Sequence, residues 1–268
     1  MQNVNHNMLI LYIIKKNKPF NLIFTLKLYI AVEKILTIRY NNKKSIKGYE
    51  ADMSYKYILF DLDGTLSDSA PGITKSVAYA LEKFGIYEKA ENLGYFVGPP
   101  LYEAFRDKYG MDKEKTSQAI KYFRERFEVK GILENTPYDG TEQLLRTLHS
   151  KGKKLILATS KPEKFAIEIL GRYDFAKYFT FIGGACMDES TRMKKDEVIE
   201  YCLAECNITD TSECIMGGDR YHDVEGAAKY GIPTVGVLYG YGTKDELLNA
   251  GAVAVCDTTE NLCEYLSK

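Results

Sequence analysis

From residue 57 onward, apolar and polar positions fall into two patterns. Residues 57–60 form a short apolar run ending on Asp61, which predicts a buried strand, with a turn at Asp63-Gly64-Thr65. Ile73, Val77, Ala80, Leu81 and Phe84 then recur at three-to-four spacing and predict a helix stopped at Gly85. Residues 99–109 and 113–129 predict two more amphipathic helices, the second with Ile120, Phe123 and Phe127 on one face. The pattern stays helical from 70 to about 131 and carries no strand signal.

After residue 137 the pattern changes. Helices are expected at 141–150, 163–170, 196–206, 223–230, 244–250 and 259–266. Apolar strands are expected between them at 154–158, 179–182, 214–216, 234–238 and 252–255. Strict alternation predicts an α/β fold: a Rossmann-like parallel sheet covered on both faces. The sheet starts at 57, pauses for the helical stretch and resumes near 153. The expected organisation is therefore a core of residues 53–68 and 137–268 with an inserted all-α cap, 69–136. Ligands of open parallel sheets sit beyond the carboxyl ends of the strands. The insertion begins at such an end, so it should lie over the site as a lid.

Composition sets the first 52 residues apart. They carry nine Lys/Arg against three Asp/Glu, a net charge of +6, whereas 53–268 carry 27 against 34, a net of −7. They hold one Gly and one Pro; the rest of the chain holds 20 and 6. Lys15, Lys16, Lys18 and Lys27 interrupt the apolar runs, so none reaches the roughly 18 uncharged residues of a spanning helix. No basic stretch precedes the first run and no small-residue cleavage site follows it, which argues against a secretory signal. An interfacial basic helix is the alternative. The preferred reading is that 1–52 is an atypical extension, upstream sequence read through into the gene model, with Met53 as the working start. A cytoplasmic protein is expected, and its six cysteines as thiols. Cys202 and Cys206 share a helix face and read as small buried side chains rather than metal ligands.

Residues that carry chemistry gather at the predicted strand ends. The first strand leads to Asp61, Asp63 and Thr65, and the second to Thr159, Ser160 and Lys161. The strand ending at 216 leads to Gly217, Gly218, Asp219 and Asp223, and Lys194 and Lys195 open the preceding helix. Carboxylates gathered on one rim repel one another, so a cation is expected. Oxygen donors, with only three histidines in the chain, favour a hard ion, Mg²⁺ first. Carboxylate, Mg²⁺, lysine and hydroxyl together suit a phosphoryl group.

Phe60-Asp61-Leu62-Asp63-Gly64-Thr65-Leu66 resembles the first motif of the haloacid dehalogenase (HAD) superfamily. Residues 155–159 with Ser160-Lys161 resemble its second motif. Lys195, in Lys-Asp-Glu-Val-Ile, resembles its third, and Gly217-Gly218-Asp219-Arg220-Tyr221-His222-Asp223 its fourth. The resemblance covers about residues 55–268. It implies that Asp61 is a nucleophile forming an aspartyl-phosphate. It implies that Asp63 protonates the leaving oxygen and then deprotonates the attacking water. Asp61, the backbone carbonyl of Asp63 and Asp219 would hold Mg²⁺, with Asp223 supporting them directly or through water. The Thr159 hydroxyl and the Ser160 backbone N–H would bind phosphoryl oxygens, and Lys195 would neutralise charge there and on Asp61. Lys194 is the adjacent alternative; spacing to Val198-Ile199 favours Lys195.

A helical insertion directly after the first motif resembles the α-helical cap class. Val97-Gly98-Pro99-Pro100-Leu101 and the loop 236–242 resemble segments of its phosphoglycolate phosphatase-like and 5′-nucleotidase-like members. Gly98, Pro99, Lys161 and Arg192 are candidate substrate or cap contacts. The presence of Asp63 favours phosphoryl chemistry over carbon–halogen cleavage. The expected reaction is Mg²⁺-dependent hydrolysis of a small phosphorylated metabolite, phosphoglycolate first and nucleoside 5′-monophosphates second. A sugar phosphomutase of the β-phosphoglucomutase type and a non-catalytic phospho-ligand-binding module are the alternatives. Neither a nucleic acid polymer nor a membrane is an expected partner, and the sequence does not separate monomer from homodimer.

Overall fold

The computed structural model describes residues 55–187 and 191–268. The expected extension 1–52 and the expected start at Met53 lie outside the described residues. Strand β1 (Tyr57–Phe60) sits near the middle of a six-stranded parallel sheet. The others are β4 (Lys154–Pro162), β5 (Phe179–Ala185), β6 (Cys214–Gly218), β7 (Thr234–Val237) and β8 (Ala254–Cys256), in the spatial order β5-β4-β1-β6-β7-β8. In chain order that is third, second, first, fourth, fifth, sixth, the doubly wound arrangement whose direction of winding reverses beside the first strand. Phe60 registers with Leu157 on β4 and Gly217 on β6, so the residues after all three strands meet at the reversal point.

Side-chain alternation assigns the two faces of the sheet. Ile58 and Phe60 join Leu155, Leu157, Ile215, Val235 and Val237 on one face. There they pack on α4 (Thr141–Ser150), α5 (Glu163–Arg172) and α9 (Thr259–Leu266) through Leu144, Leu148, Phe165, Ile169 and Leu262. Leu59, Ile156, Ala158, Cys214 and Met216 face the other way, onto Val198, Ile199 and Cys202 of α6 (Lys195–Glu205) and Ala227 of α7 (Tyr221–Ala228). A parallel sheet buried on both faces has strands that read as continuous apolar runs. Helix α8 (Lys244–Ala250) packs Leu247 against Val224 and Ala252.

Between β1 and β4 the chain forms α1 (Ala70–Glu82), α2 (Leu101–Tyr109) and α3 (Lys113–Phe127), with short 3₁₀ turns between and after them. Two two-residue strands, β2 (Ser67–Asp68) and β3 (Thr136–Pro137), pair antiparallel where the chain leaves and re-enters the core. The sequence carries no signal for this ribbon, because two residues cannot show a period. Its partners Ser67 and Pro137 are brought together by the helices between them. Several boundaries also differ from the periodicity. Helix α7 begins at Tyr221 rather than 223, two residues earlier, where the Asp223 side chain accepts the Arg220 N–H at 3.1 Å and caps it. Strand β4 runs on to Pro162 through a register shift after Thr159. Among the described residues no helix is long and apolar enough to cross a membrane.

The helical segment is anchored by a backbone approach at its base. A Cβ on Gly72, in the first turn of α1, would lie 2.1 Å from the Gly131 carbonyl oxygen. Gly72→Ala should therefore cost about 1–3 kcal/mol through overpacking. Urea unfolding checks this, and an unchanged midpoint would show that the approach is relieved freely.

Candidate active site

Asp61 follows β1 directly, and its N–H donates to the Gly217 carbonyl at 3.1 Å, which ties it to β6. The chain then folds back tightly: the Leu62 carbonyl accepts from Leu66 and Ser67, and Gly64 N–H donates to Ser67 O at 2.8 Å. Gly64 has φ +85°, and a Cβ there would lie 2.2 Å from Asp219 Oδ2. Only glycine meets both demands. Thr65 Oγ1 donates to Asp219 Oδ1 at 3.4 Å, and Tyr241 N–H donates to Asp219 Oδ2 at 2.8 Å. Asp219 is fully buried.

Lys195 is the centre of the charge arrangement. Its Nζ lies 2.8 Å from Asp61 Oδ1, 2.8 Å from Asp223 Oδ1 and 3.0 Å from the Ala158 carbonyl. The contact to the Ala158 carbonyl is a hydrogen bond, and the two carboxylates are ion-pair partners at close range. Lys194 is exposed, so the buried lysine at the carboxylates is Lys195. Gly226 makes room for its stem: a Cβ there would lie 2.9 Å from Lys195 Cγ. Burial opposes the charge on Lys195, but the Asp223 and Asp61 carboxylates outweigh it and hold the ammonium above the usual lysine range.

Carboxylate oxygens of Asp61, Asp219 and Asp223 lie within 4.8 Å of one another, and all three residues are buried. Lys195 pairs with two of the three, Asp61 and Asp223, while Asp219 accepts the Tyr241 N–H and the Thr65 hydroxyl. Burial first, then the Asp223 and Asp61 charges, push the Asp219 carboxyl well above its ordinary value. Burial, with a smaller push from Asp61, raises Asp223 to about 6 against the pull of Lys195. A cluster of oxygen donors carrying surplus negative charge fits a hard divalent cation. The Asp63 carboxylate stands outside this cluster and pairs with Lys161 at 2.7 Å.

These groups open into a cavity between the sheet and the helical segment. Asp61, Asp63, Thr159, Ser160 and Lys161 form one wall. Phe96, Gly98, Pro99, Phe123, Arg124 and Phe127 form the other. Asp61 thus joins the acidic cluster and Lys195 to the cavity wall that carries Asp63, Thr159, Ser160 and Lys161, with Gly98 and Pro99 opposite; Lys194 and Arg192 lie apart. That guanidinium sits 4.0 Å from the centre of the Tyr201 ring, bonds Cys186 Sγ and pairs with Glu163 at 3.4 Å, outside the cavity lining.

Two residues join the site to the helical segment without any sequence signal of their own. The Tyr241 hydroxyl accepts from Ser69 and Ala70 N–H at 2.9 and 3.0 Å and donates to Asp68 Oδ1 at 2.7 Å, at the start of α1. Arg220, next to Asp219, donates to the Val97 carbonyl at 3.0 Å and pairs with Glu246 at 2.8 Å. The flanking Gly240 and Gly242 permit the approach of Tyr241: a Cβ on Gly242 would lie 1.9 Å from the Asp219 carbonyl oxygen. The loop 236–242 had been readable as a unit, but not the reach of its tyrosine.

Both raised carboxyls hold protons more tightly in the folded chain than in the unfolded one. Their contribution to metal-free stability is therefore present at low pH and is lost as pH rises above the ordinary carboxylate range, through about 6 for Asp223. Asp219→Asn removes one charge from the cluster. Without divalent ions near neutral pH, it should raise the melting temperature by about 2–4 °C, equivalent to about 1 kcal/mol. The gain over wild type should shrink toward about pH 4. Calorimetry checks this; a lower melting temperature near neutral pH would show that repulsion in the cluster is not the larger effect.

Comparison with known proteins agrees with the geometry. The family model described as haloacid dehalogenase-like hydrolase matches residues 58–237. A 5′-nucleotidase of Pseudomonas aeruginosa is 43% identical over 199 residues, covering 74% of this chain and 89% of that protein. Tyrosine-protein kinase PtkA of Mycobacterium tuberculosis is 39% identical over 193 residues, with 72% of this chain and 65% of that protein covered. A phosphoglycolate phosphatase of Vibrio parahaemolyticus is 27% identical over 221 residues, with 79% and 96% covered. The crystal structure of a predicted phosphatase from Clostridium acetobutylicum superposes with a TM-score of 0.76 at 46% identity, covering 78% of this chain and 97% of that one. The chain belongs to the haloacid dehalogenase-like hydrolases, as one of the phosphatases of that family.

Proposed function

We propose that this protein is a Mg²⁺-dependent phosphatase that hydrolyses small phosphomonoesters through an aspartyl-phosphate on Asp61. The observation that carries this reading is the bridge from Lys195 to Asp61 and Asp223, set where the ends of β1, β4 and β6 meet. A phosphate dianion cannot approach a carboxylate unless positive charge screens both. Lys195 supplies part of that charge from a fixed position. Asp61, Asp219 and Asp223, with the backbone carbonyl of Asp63, are the groups to hold Mg²⁺. When bound, the ion withdraws charge from the phosphoryl oxygens.

The remaining work falls to the protein. The Thr159 hydroxyl and the Ser160 N–H orient the phosphoryl oxygens at the cavity wall. Asp61 attacks phosphorus while Asp63 gives a proton to the leaving oxygen. Asp63 then takes a proton from the water that releases phosphate. The walls contributed by the helical segment keep bulk water from the reacting groups.

Among substrates, nucleoside 5′-monophosphates come ahead of phosphoglycolate, the reverse of the order read from the sequence. Phe96, Phe123 and Phe127 give the cavity aromatic faces that suit a nucleobase, which two-carbon phosphoglycolate does not need. The relative named a 5′-nucleotidase is also much more similar than the one named a phosphoglycolate phosphatase. Localisation in the cytoplasm and action on a small metabolite belong to the same proposal.

Phosphate release from a panel of nucleoside 5′-monophosphates, phosphoglycolate and glucose 1-phosphate, with Mg²⁺, tests the reading. The largest kcat/KM is expected for a nucleotide. Conversion of glucose 1-phosphate to the 6-phosphate would identify a mutase instead, and no turnover of any ester would leave a binding module. Asp61→Asn should lower kcat by about 10³-fold or more while leaving the melting temperature near that of wild type. EDTA should abolish activity and Mg²⁺ restore it.

A further inference from the structure

The Lys161–Asp63 ion pair has no part in the steps above, and it is one of the most enclosed in the molecule. Lys161 Nζ lies 2.7 Å from Asp63 Oδ2, with the two side chains 4% and 12% exposed. The other carboxylate oxygen, Asp63 Oδ1, is buried without a hydrogen-bond partner. Both residues line the cavity. Lys161 is itself held in place. Its N–H donates to Thr159 Oγ1 at 3.2 Å, and the register shift between Thr159 and Pro162 lifts it out of the regular β4–β5 pairing. Its ammonium lies 5.0 Å from the centre of the Phe127 ring, at the end of α3 on the opposite wall. At that distance the ring face attracts the cation.

We infer that Lys161 is a positioning residue for proton transfer: by holding Asp63 Oδ2 it presents Oδ1 to the leaving oxygen of the substrate. The inference rests on the phosphatase reading above. In the first half-reaction a bond forms between Asp61 and phosphorus, and the ester bond from phosphorus to the leaving oxygen breaks. The electron pair stays on that oxygen, which takes the proton from Asp63 Oδ1. In the second, Oδ1 takes a proton from water, the water oxygen bonds to phosphorus, and the bond to Asp61 breaks. Oδ2 stays in contact with the Lys161 ammonium, 2.7 Å away, whether or not Oδ1 carries a proton, so Lys161 neither gains nor loses a proton. Without it, rotation about the last side-chain bond of Asp63 would place Oδ1 at random. The contact with Phe127 lets this alignment depend on the helical wall being in place.

The test separates positioning of an acid from binding and from simple structural support. A nucleoside 5′-monophosphate releases an alkoxide that needs a proton, whereas p-nitrophenyl phosphate releases a phenolate that does not. In the full chain with Mg²⁺, Lys161→Met should slow the pre-steady-state release of the nucleoside, which reports the first half-reaction alone, by about 10²-fold. It should leave the pre-steady-state release of p-nitrophenolate within a few-fold of wild type, while the second half-reaction, common to both esters, slows alike on both. Lys161→Arg, which retains a cationic donor, should recover part of the nucleoside release rate. Equal losses in the release step on the two esters, or a raised KM with that step unchanged, would overturn the inference. Should thermal melts show Lys161→Met unfolded, Lys161→Gln, of similar length and uncharged, carries the same comparison. A wild-type enzyme inert toward both esters overturns the phosphatase reading, and this inference with it; an active wild type with equal losses overturns only the latter.

Discussion

The buried ammonium of Lys195, paired with two of three clustered buried carboxylates, is the constraint around which the site is built. Removing an ion from water costs several kcal/mol even after relaxation, and only close partners of opposite charge offset it. Lys195 has two carboxylates at 2.8 Å and a hydrogen bond to a carbonyl at 3.0 Å. The close packing it requires explains nearby glycines. Gly226 admits its stem, Gly218 admits Asp223, and Gly64 admits Asp219. The charge left over after Lys195 is negative, and it makes the same cluster both a cost to the metal-free fold and a place for a cation.

The loops that hold these charges also hold the helical segment. Asp219 receives a backbone N–H from Tyr241, whose hydroxyl meets the first amides of α1. Its neighbour Arg220 meets the carbonyl of Val97 at the other side of the cavity. Tyr241 and Arg220 thereby tie the acidic cluster to the helical segment through two side chains.

Much of the architecture was legible because it is repetitive. The three-to-four spacing of α1 and α3 and the apolar runs of β1, β4 and β6 each report a local environment many residues long. The two-residue ribbon β2/β3 escaped because its pairing joins Ser67 to Pro137, a relation set by the intervening helices. Arg192 escaped in the other direction. A candidate substrate or cap contact by sequence, it lies over the Tyr201 ring and pairs with Glu163, partners that no short-range pattern reveals.

The amino-acid sequence by itself determined the alternation of the elements, the identity of the charged residues at the strand ends and the glycines that must sit among them. These follow from short-range periodicity and from backbone conformations that few residues adopt. Tertiary structure decided which lysine of the 194–195 pair is buried, which carboxylates share it, and which lid side chains face them. It also assigned Tyr241 and Lys161 their partners, 172 and 98 positions away in the chain. The physical reason is that electrostatic and hydrogen-bond partners are selected by distance in space, and distance in space between remote residues is set only when strand order and helix packing close the fold.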